Sequence, residues 1–247
     1  MRIKFFALMA LFAICAMTTY SFAEDQAVLA SKGNDACCTV TTCKLDGGHV
    51  YAKINPSTDW QEVAVGQTFK KSDSIKTDAS SSLILQFPGG TSVSIRPNTE
   101  ITIDELIWDN VAKKVNIGMN AGEIRTIFNK AKTPSEFKVR TPTAICGARG
   151  TVFYVKSDAN STSIYVGEGS VDIVNPVTGE VYTVVAGMMI TINTDGSSAG
   201  PVTATDTDVT GWTACYTDLV AEPYTPVLGN NKAMPPKNTP ERVASGS

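Results

Sequence analysis

The chain has 247 residues, with 21 lysines and arginines against 24 aspartates and glutamates, and its formal net charge is −3 at neutral pH. A slightly acidic chain lacks the basic surface that a phosphate backbone requires, so nucleic acid is excluded as an expected partner. Hydrophobic residues make up 43% of the chain, enough for a folded core that needs no disulfide to form.

Residues 1–23 have the three-part layout of a secretory signal. Arg2 and Lys4 precede an uncharged apolar run over residues 5–17, and small residues occupy the −3 and −1 positions of a cleavage site that ends at Ala23. We expect cleavage there, export to the periplasm or the cell surface, and no cytoplasmic segment before the domain. A retained helical anchor is the alternative, although the apolar run is short for a membrane span. No later stretch has transmembrane length, so we expect no span in the mature chain.

Residues 24–49 form an N-terminal segment in which Cys37, Cys38 and Cys43 are clustered. An exported chain favours disulfides over zinc, and the cluster lacks a second pair at zinc spacing. We predict a short loop closed between Cys37 or Cys38 and Cys43, and a second bridge that reaches Cys215. The mature chain has five cysteines, so one thiol stays free or pairs between chains. A copper or zinc site is the alternative, but a fourth ligand is missing. We therefore expect no metal and no cofactor.

Residues 50–200 alternate between apolar and polar side chains with a period of two. The run 82–87 alternates until Pro88-Gly89-Gly90 interrupts it, and residues 164–166 and 171–173 flank a second glycine-rich turn. Short β-branched runs bounded by glycine, proline and asparagine are typical of strands joined by tight connections. We predict an all-β domain of many short strands, solenoid-like or roll-like, with a β-sandwich as the alternative.

One stretch of this domain is ambiguous. Residues 113–127 lack a clear break, but Gly118 and Gly122 favour a turn between two strands over a helix.

The C-terminal part divides into a short extension, residues 201–221, and a flexible tail, residues 222–247, which holds five of the 12 prolines. The extension contains a segment that begins at Asp206 like a calcium-binding loop. Its twelfth position, where a bidentate glutamate is required, is Thr217, so we expect no calcium there.

The segment 137–155 carries the most specific pattern in the chain. It reads Val-x-Thr-Pro-x-Ala from Val139 to Ala144 and Arg-Gly-Thr-x-Phe-x-Val from Arg149 to Val155. This pattern resembles the central motif of the FecR domain, and Trp60 resembles that family's opening. The resemblance extends over about residues 50–195. It implies an all-β domain outside the cytoplasm, which in the signalling members follows an anti-sigma segment and a membrane helix. Ser72 stands where the family usually has glycine.

The motif residues have a structural interpretation. The Thr-Pro pair favours an extended entry, and glycines permit a positive φ or a close approach of two strands. The arginine can donate to several carbonyls at once; the alternative is that it binds an anion or a carboxylate of a partner. Cys146 is expected to be a buried free thiol. The motif positions to which we assign this structural role are Thr141, Pro142, Gly147, Arg149, Gly150, Thr151 and Phe153.

The sequence offers little support for catalysis. The only histidine, His49, follows two glycines in a predicted loop, and no nucleophile-elbow motif accompanies it. Glu100, Asp104 and Glu105 are close in sequence but are expected on the solvated side and end of a strand. We therefore predict a non-enzymatic protein; a carboxylate-dependent hydrolase is the alternative, and it needs two acids that face each other across a pocket.

Together these features predict an exported FecR-domain module for envelope sensing, scaffolding or surface binding of a protein or a glycan. The second hypothesis is a regulator of a cell-surface signalling system that involves a receptor and a sigma factor.

Overall fold

The computed structural model describes residues 36–128, 135–148 and 150–213. Within these ranges no helix combines the length and the apolar character needed to cross a membrane. Several features predicted from the sequence lie outside the described residues: the signal at 1–23, Arg149, Cys215 and the tail at 222–247.

Nine strands pair side by side in the first sheet, and all of its pairings are antiparallel. Their spatial order is β4 (Thr68–Phe69), β1 (Cys38–Leu45), β6 (Ser81–Gln86), β7 (Ser92–Ile95), the second part of β9 (Lys113–Ile127), β12 (Val152–Ser157), β13 (Ser161–Glu168), β16 (Met188–Asn193) and β17 (Ser198–Thr203).

The second sheet also has nine members, and only its β9–β10 pairing is parallel. Their spatial order is β3 (Gln61–Glu62), β2 (Val50–Lys53), β5 (Ser74–Thr77), β8 (Glu100–Trp108), the first part of β9, β10 (Ser135–Arg140), β11 (Ile145–Ala148), β14 (Ser170–Val174) and β15 (Val181–Val185). A short helix, α1 (Asp206–Thr213), follows β17. The predicted all-β fold is confirmed.

The inner faces of both sheets contribute to one core. Several strands bury alternate residues, as the period-two pattern predicts: Leu83 and Leu85 of β6 are fully buried, and Ile84 between them is not. Phe137 lies at the centre of an aromatic cluster, and its ring centroid is 5.5 to 6.4 Å from those of three other phenylalanines. Complete burial of such a side chain contributes about 1.5–3 kcal/mol to stability.

A single strand, β9, belongs to both sheets. Its residues 113–121 pair with β8 in the second sheet, and its residues 122–127 pair with β7 and β12 in the first. The bend falls at Gly122, whose φ is +118°. A Cβ atom there would lie 2.5 Å from the Cα of Thr99, so only glycine fits this bend.

The predicted turn between two separate strands at residues 113–127 is therefore wrong, because both glycines lie within one strand. Gly118 occupies a regular ladder position, and its missing side chain leaves space for a salt bridge that passes over β9. Arg140 Nη2 of β10 lies 2.9 Å from Asp104 Oδ2 of β8, and a Cβ at Gly118 would come within 3.0 Å of the same carboxylate oxygen.

The folded unit extends beyond the predicted boundaries at both ends. Although β1 lies inside the predicted N-terminal segment, it pairs with β6 over six residue pairs and contributes Cys38 and Val40 to the core. After residue 200, α1 begins with a capping box: Thr205 Oγ1 accepts the amide of Asp208, and Asp208 Oδ2 accepts the amide of Thr205. The Thr-x-x-Asp spacing is a helix-start signal that was already present in the sequence.

The turn before β5 has a strained residue beside a buried carboxylate. Asp73 is buried, and its two carboxylate oxygens accept the amides of Asn55 at 2.9 Å and Lys70 at 2.8 Å. The preceding residue, Ser72, has a φ of +74°, a conformation that glycine adopts without strain and serine does not.

We predict that Ser72→Gly stabilises the protein by about 0.5–1 kcal/mol, because the relief of strain exceeds the entropy cost of ordering a glycine while the hydrogen bond from the Ser72 amide to Ile103 O is kept. The urea midpoint of unfolding measures this change. Asn98→Gly is the matched control: Asn98 also has a positive φ, but asparagine tolerates it, so the gain there should be smaller. An equal or larger gain at Asn98 would contradict the explanation.

Candidate functional site

The family-like motif forms the β10–β11 hairpin of the second sheet, and Thr141 closes its turn. The Thr141 amide donates to Ala144 O at 2.9 Å, its hydroxyl donates to the same oxygen, and the Ala144 amide donates back to Thr141 Oγ1 at 3.0 Å. Pro142 occupies a turn position where no amide is needed. The predicted extended entry at the Thr-Pro pair stays a prediction.

A buried hydroxyl network connects this turn to the first sheet. Thr162 of β13 is fully buried, and its hydroxyl lies 2.8 Å from Thr141 Oγ1, 2.6 Å from Thr143 Oγ1 and 3.2 Å from Ser157 Oγ. Hydroxyl groups are costly to bury without partners, and here each one satisfies another. Thr162 is therefore the point at which the motif hairpin is attached to the opposite sheet.

The remaining described motif positions also serve the fold. Gly150 has a φ of +77°, as predicted, whereas Gly147 does not have a positive φ. A Cβ at Gly147 would make only an ordinary contact, 3.6 Å from Asp172 O, so the predicted close approach at Gly147 is wrong: this glycine is a regular member of β11. Thr151 exchanges backbone hydrogen bonds with Phe128, and Phe153 is fully buried in the core.

Four cysteines lie in the described ranges, and all four have free thiols. Cys38 and Cys43 are five residues apart along one extended strand, a separation of about 16 Å between their Cα atoms, whereas a disulfide needs less than about 7 Å. Cys37 directly precedes the same strand and is farther still from Cys43. The predicted short loop therefore does not fit this strand, and the three thiols do not converge on one point. The predicted bridge to Cys215 lies outside the described residues.

The thiols differ in their surroundings. Burial raises the pKa of Cys146 to about 12, and burial together with the neighbouring Cys37 raises the pKa of Cys38 to about 12. Burial also raises the pKa of Cys43. Cys37 is only partly buried. The prediction that Cys146 is a buried free thiol is confirmed.

The acids and the histidine singled out from the sequence have structural partners. His49 is exposed, its Nδ1 lies 2.7 Å from Glu62 Oε1, and its ring stacks on Tyr51.

Asp104 forms the salt bridge with Arg140 described above, and Glu105 Oε2 accepts a hydrogen bond from Asn116 at 2.5 Å. Glu100 lies at the start of β8, opposite Lys76 of β5.

A cleft of about 400 Å³ opens between the outer face of the first sheet and α1. Trp212 of the helix packs on Tyr154 and Tyr165 of the sheet, with ring centroids 6.2 and 6.3 Å apart, and holds the helix over the strands. No sequence pattern indicates this cleft, because its walls come from four strands and a helix. Charged and apolar side chains share its lining, chiefly Glu123, Lys156, Asp158, Met189, Asp208 and Trp212.

The two aspartates of this cleft accept hydrogen bonds from residues close to them in the sequence, and its glutamate lies opposite a lysine. The backbone amides of Asn160 and Ser161 hold the pKa of Asp158 below its usual value, and the hydroxyl and amide of Thr205 do the same for Asp208. Glu123 lies directly opposite Lys156 in the β9–β12 ladder. A general acid requires a raised pKa, so Asp158 and Asp208 have the opposite of the property that a glycosidase acid needs.

Comparison with known proteins agrees with the motif. Residues 73–172 match the family model described as FecR protein, and the match contains the motif hairpin and Thr162. Residues 73–172 are a FecR domain. FecR-domain proteins are associated with the cell envelope, and the family is a regulatory one in cell-surface signalling. No curated protein matches the chain.

Solved structures similar to this chain include two crystal structures, at 1.65 and 2.50 Å resolution, of a protein from Parabacteroides distasonis described as a "putative anti-sigma factor". Each aligns with a TM-score of 0.47 and 21% identity. The alignment covers 56% of this FecR-domain chain and 63% of the other, so this chain spans less than two thirds of that protein.

We predict that Thr162→Val destabilises the FecR domain by about 1–3 kcal/mol, because three buried hydroxyls lose a shared partner while the volume is nearly unchanged. Thr191→Val is the control. Thr191 also pairs with a serine hydroxyl, at 2.8 Å, but in a partly exposed position where water replaces the lost partner, so a change within about 0.5 kcal/mol is expected. Urea unfolding of both variants tests the difference; equal effects would rule out a special role for the network.

We predict that alkylation of the reduced protein at pH 8 modifies Cys37 first among the four cysteines of the described ranges and leaves Cys38 and Cys146 unmodified until unfolding. The thiolate is the reactive form, and the raised pKa values of the two buried thiols suppress it. Mass spectrometry of timed samples, native and in urea, gives the order. Early labelling of Cys146 in the native protein would contradict its burial.

Proposed function

We propose that this protein is an exported, non-catalytic FecR-domain module that regulates a cell-surface signalling system by binding a protein partner in the envelope. The observation that carries the proposal is the FecR domain at residues 73–172. Regulation takes precedence over scaffolding or surface attachment because the family is a regulatory one.

Two observations support binding rather than catalysis: the position of the motif residues and the ionisation of the aspartates in the cleft. The motif residues that the structure describes lie in the scaffold, so they hold the two sheets together and leave the outer faces for contacts. The lowered pKa values of Asp158 and Asp208 favour permanently ionised carboxylates at neutral pH, which can accept hydrogen bonds but cannot donate a proton.

Export is supported by the basic, apolar and small-residue segments of residues 1–23 and by the envelope association of the family. In this arrangement the FecR domain meets its partner outside the cytoplasm. A protein partner is preferred to a glycan because a signalling response requires a second component that carries the information onward.

The test is a strain that lacks the gene, complemented with the full chain or with a form that begins after Ala23 and stays in the cytoplasm. Transcript profiling is expected to show a change confined to one sigma-factor-dependent gene set, restored by the full chain and not by the cytoplasmic form. No transcript change, or equal restoration by both forms, would overturn the proposal.

The hydrolase alternative is separated from regulation by Glu123→Gln and Asp158→Asn, which remove charges in the cleft. Both variants should restore the transcript pattern as well as the unaltered chain does. If a variant does not restore the transcript pattern and also no longer releases sugars from the envelope, the hydrolase is favoured.

A further inference from the structure

The four outer edges of the two sheets are not equally protected. In the described part of the chain, β3 and β4 are two residues long, and the neighbouring strands β2 and β1 carry Lys53 and Lys44. The β17 edge contains Pro201, which has no amide to donate. Natural sheets use these devices, short strands, lysines and prolines, to prevent edge pairing. β15 has none of them: its sequence is Val-Tyr-Thr-Val-Val.

The direction of the β15 backbone groups follows from the hydrogen bonds at its two ends. The Asn175 amide donates to Glu180 O at 2.9 Å, and the Ala186 amide donates to Gly169 O at 3.0 Å, both on the side of β14. Backbone groups alternate in an antiparallel ladder, so those of Tyr182 and Val184 also face β14. The amides and carbonyls of Val181, Thr183 and Val185 therefore point outward along the edge.

Apolar side chains accompany these outward backbone groups. Val181 is 63% exposed and Val185 is 46% exposed, and Val177, just before the strand, is 59% exposed. Tyr182 is held in place by hydrogen bonds to Glu180 and to Ser198 of β17, so the edge is fixed against the first sheet. A rigid strand with outward amides and exposed valines is suited to pairing with another strand.

The charge of this part of the chain indicates what kind of strand would pair. Residues 157–213 contain no lysine, arginine or histidine. Every ionisable side chain with a charge at neutral pH in this stretch is acidic: Asp158, Glu168, Asp172, Glu180, Asp195, Asp206 and Asp208. Such a surface attracts a partner with basic residues and repels a second copy that approaches with the same edge.

We infer that β15 is a docking strand for an extended segment of another protein, a segment of alternating β-branched residues flanked by lysine or arginine. The paired strand adds a tenth member to the second sheet. The basic flanks lie over the acidic surface beside it. This inference rests on the proposed function and specifies the surface that the protein partner uses. The edge is only five residues long, so the contact is of the small, transient kind.

The test uses the mature full chain and a fluorescein-labelled peptide of alternating valine and threonine with two lysines at each end. A matched peptide has glutamates in place of the lysines. Fluorescence polarisation is expected to show binding of the lysine peptide at least about tenfold tighter than that of the glutamate peptide, with the difference reduced at high salt. Equal binding of the two peptides would overturn the charge argument.

Two substitutions locate the binding surface. Thr183→Pro removes an outward amide without breaking the ladder with β14, and Val181→Lys places a charge on the edge; each should weaken binding of the lysine peptide at least about tenfold. Val202→Lys is the matched control, because Val202 is similarly exposed, at 52%, but lies on the proline-containing edge. Its binding should match that of the unaltered protein. Circular dichroism confirms that each variant is folded.

Hydrogen exchange distinguishes this partner from other occupants. The amides of Val181, Thr183 and Val185 should exchange fast in the free protein and become protected when the lysine peptide is added. Protection before any peptide is added would show that the chain itself or a second copy covers the edge, and would overturn the inference.

If the edge variants bind no peptide but still restore the transcript pattern, β15 is not the docking strand and the regulatory role stands. If peptide binding is intact while the deletion strain shows no transcript change, the regulatory role fails instead.

Discussion

The constraint on which this fold depends is the sharing of β9 between two sheets. Its bend at Gly122 passes one continuous strand from the second sheet to the first, where it pairs with β7 and β12. The inner faces of both sheets are thereby held together by the covalent chain as well as by burial of their side chains. A side chain at residue 122 would collide with the backbone of Thr99, so the bend depends on that one glycine.

The FecR motif is a second connection between the sheets, made by polar groups. Threonines at positions 141, 143 and 162 are buried and satisfy one another, which is possible only because the β10–β11 turn and β13 meet. A network of this kind favours a single arrangement of the sheets, since any shift leaves hydroxyls without partners. In its described residues, the motif that resembles the family therefore connects the two sheets of the scaffold.

Those surfaces differ from one end of the protein to the other. The N-terminal edge strands β3 and β4 are short, and the strands next to them carry lysines. Residues 157–213 carry acidic and no basic side chains, and within the described residues β15 ends the second sheet without short length, lysine or proline to protect it. The cleft beneath α1 lies in the same acidic part, but its aspartates are committed to turns and to the helix cap. The proposed binding module for a basic partner strand is consistent with all three features, whereas a carboxylate-dependent hydrolase would require an acid that is free to take up a proton.

The sequence by itself determined the strand content, the family motif, the buried Cys146 and the positive φ at Gly150, because period-two patterns and turn residues act over a few neighbouring positions. It did not determine that residues 113–127 are one bent strand, since Gly118 and Gly122 signal a turn locally and only their pairing with strands far away in the sequence shows otherwise. The cleft, the hydroxyl network and the exposed edge at β15 join residues far apart along the chain. Only the tertiary structure decides which side chains meet and which backbone groups find no neighbour, because pairing between distant strands is set by the packing of the whole core.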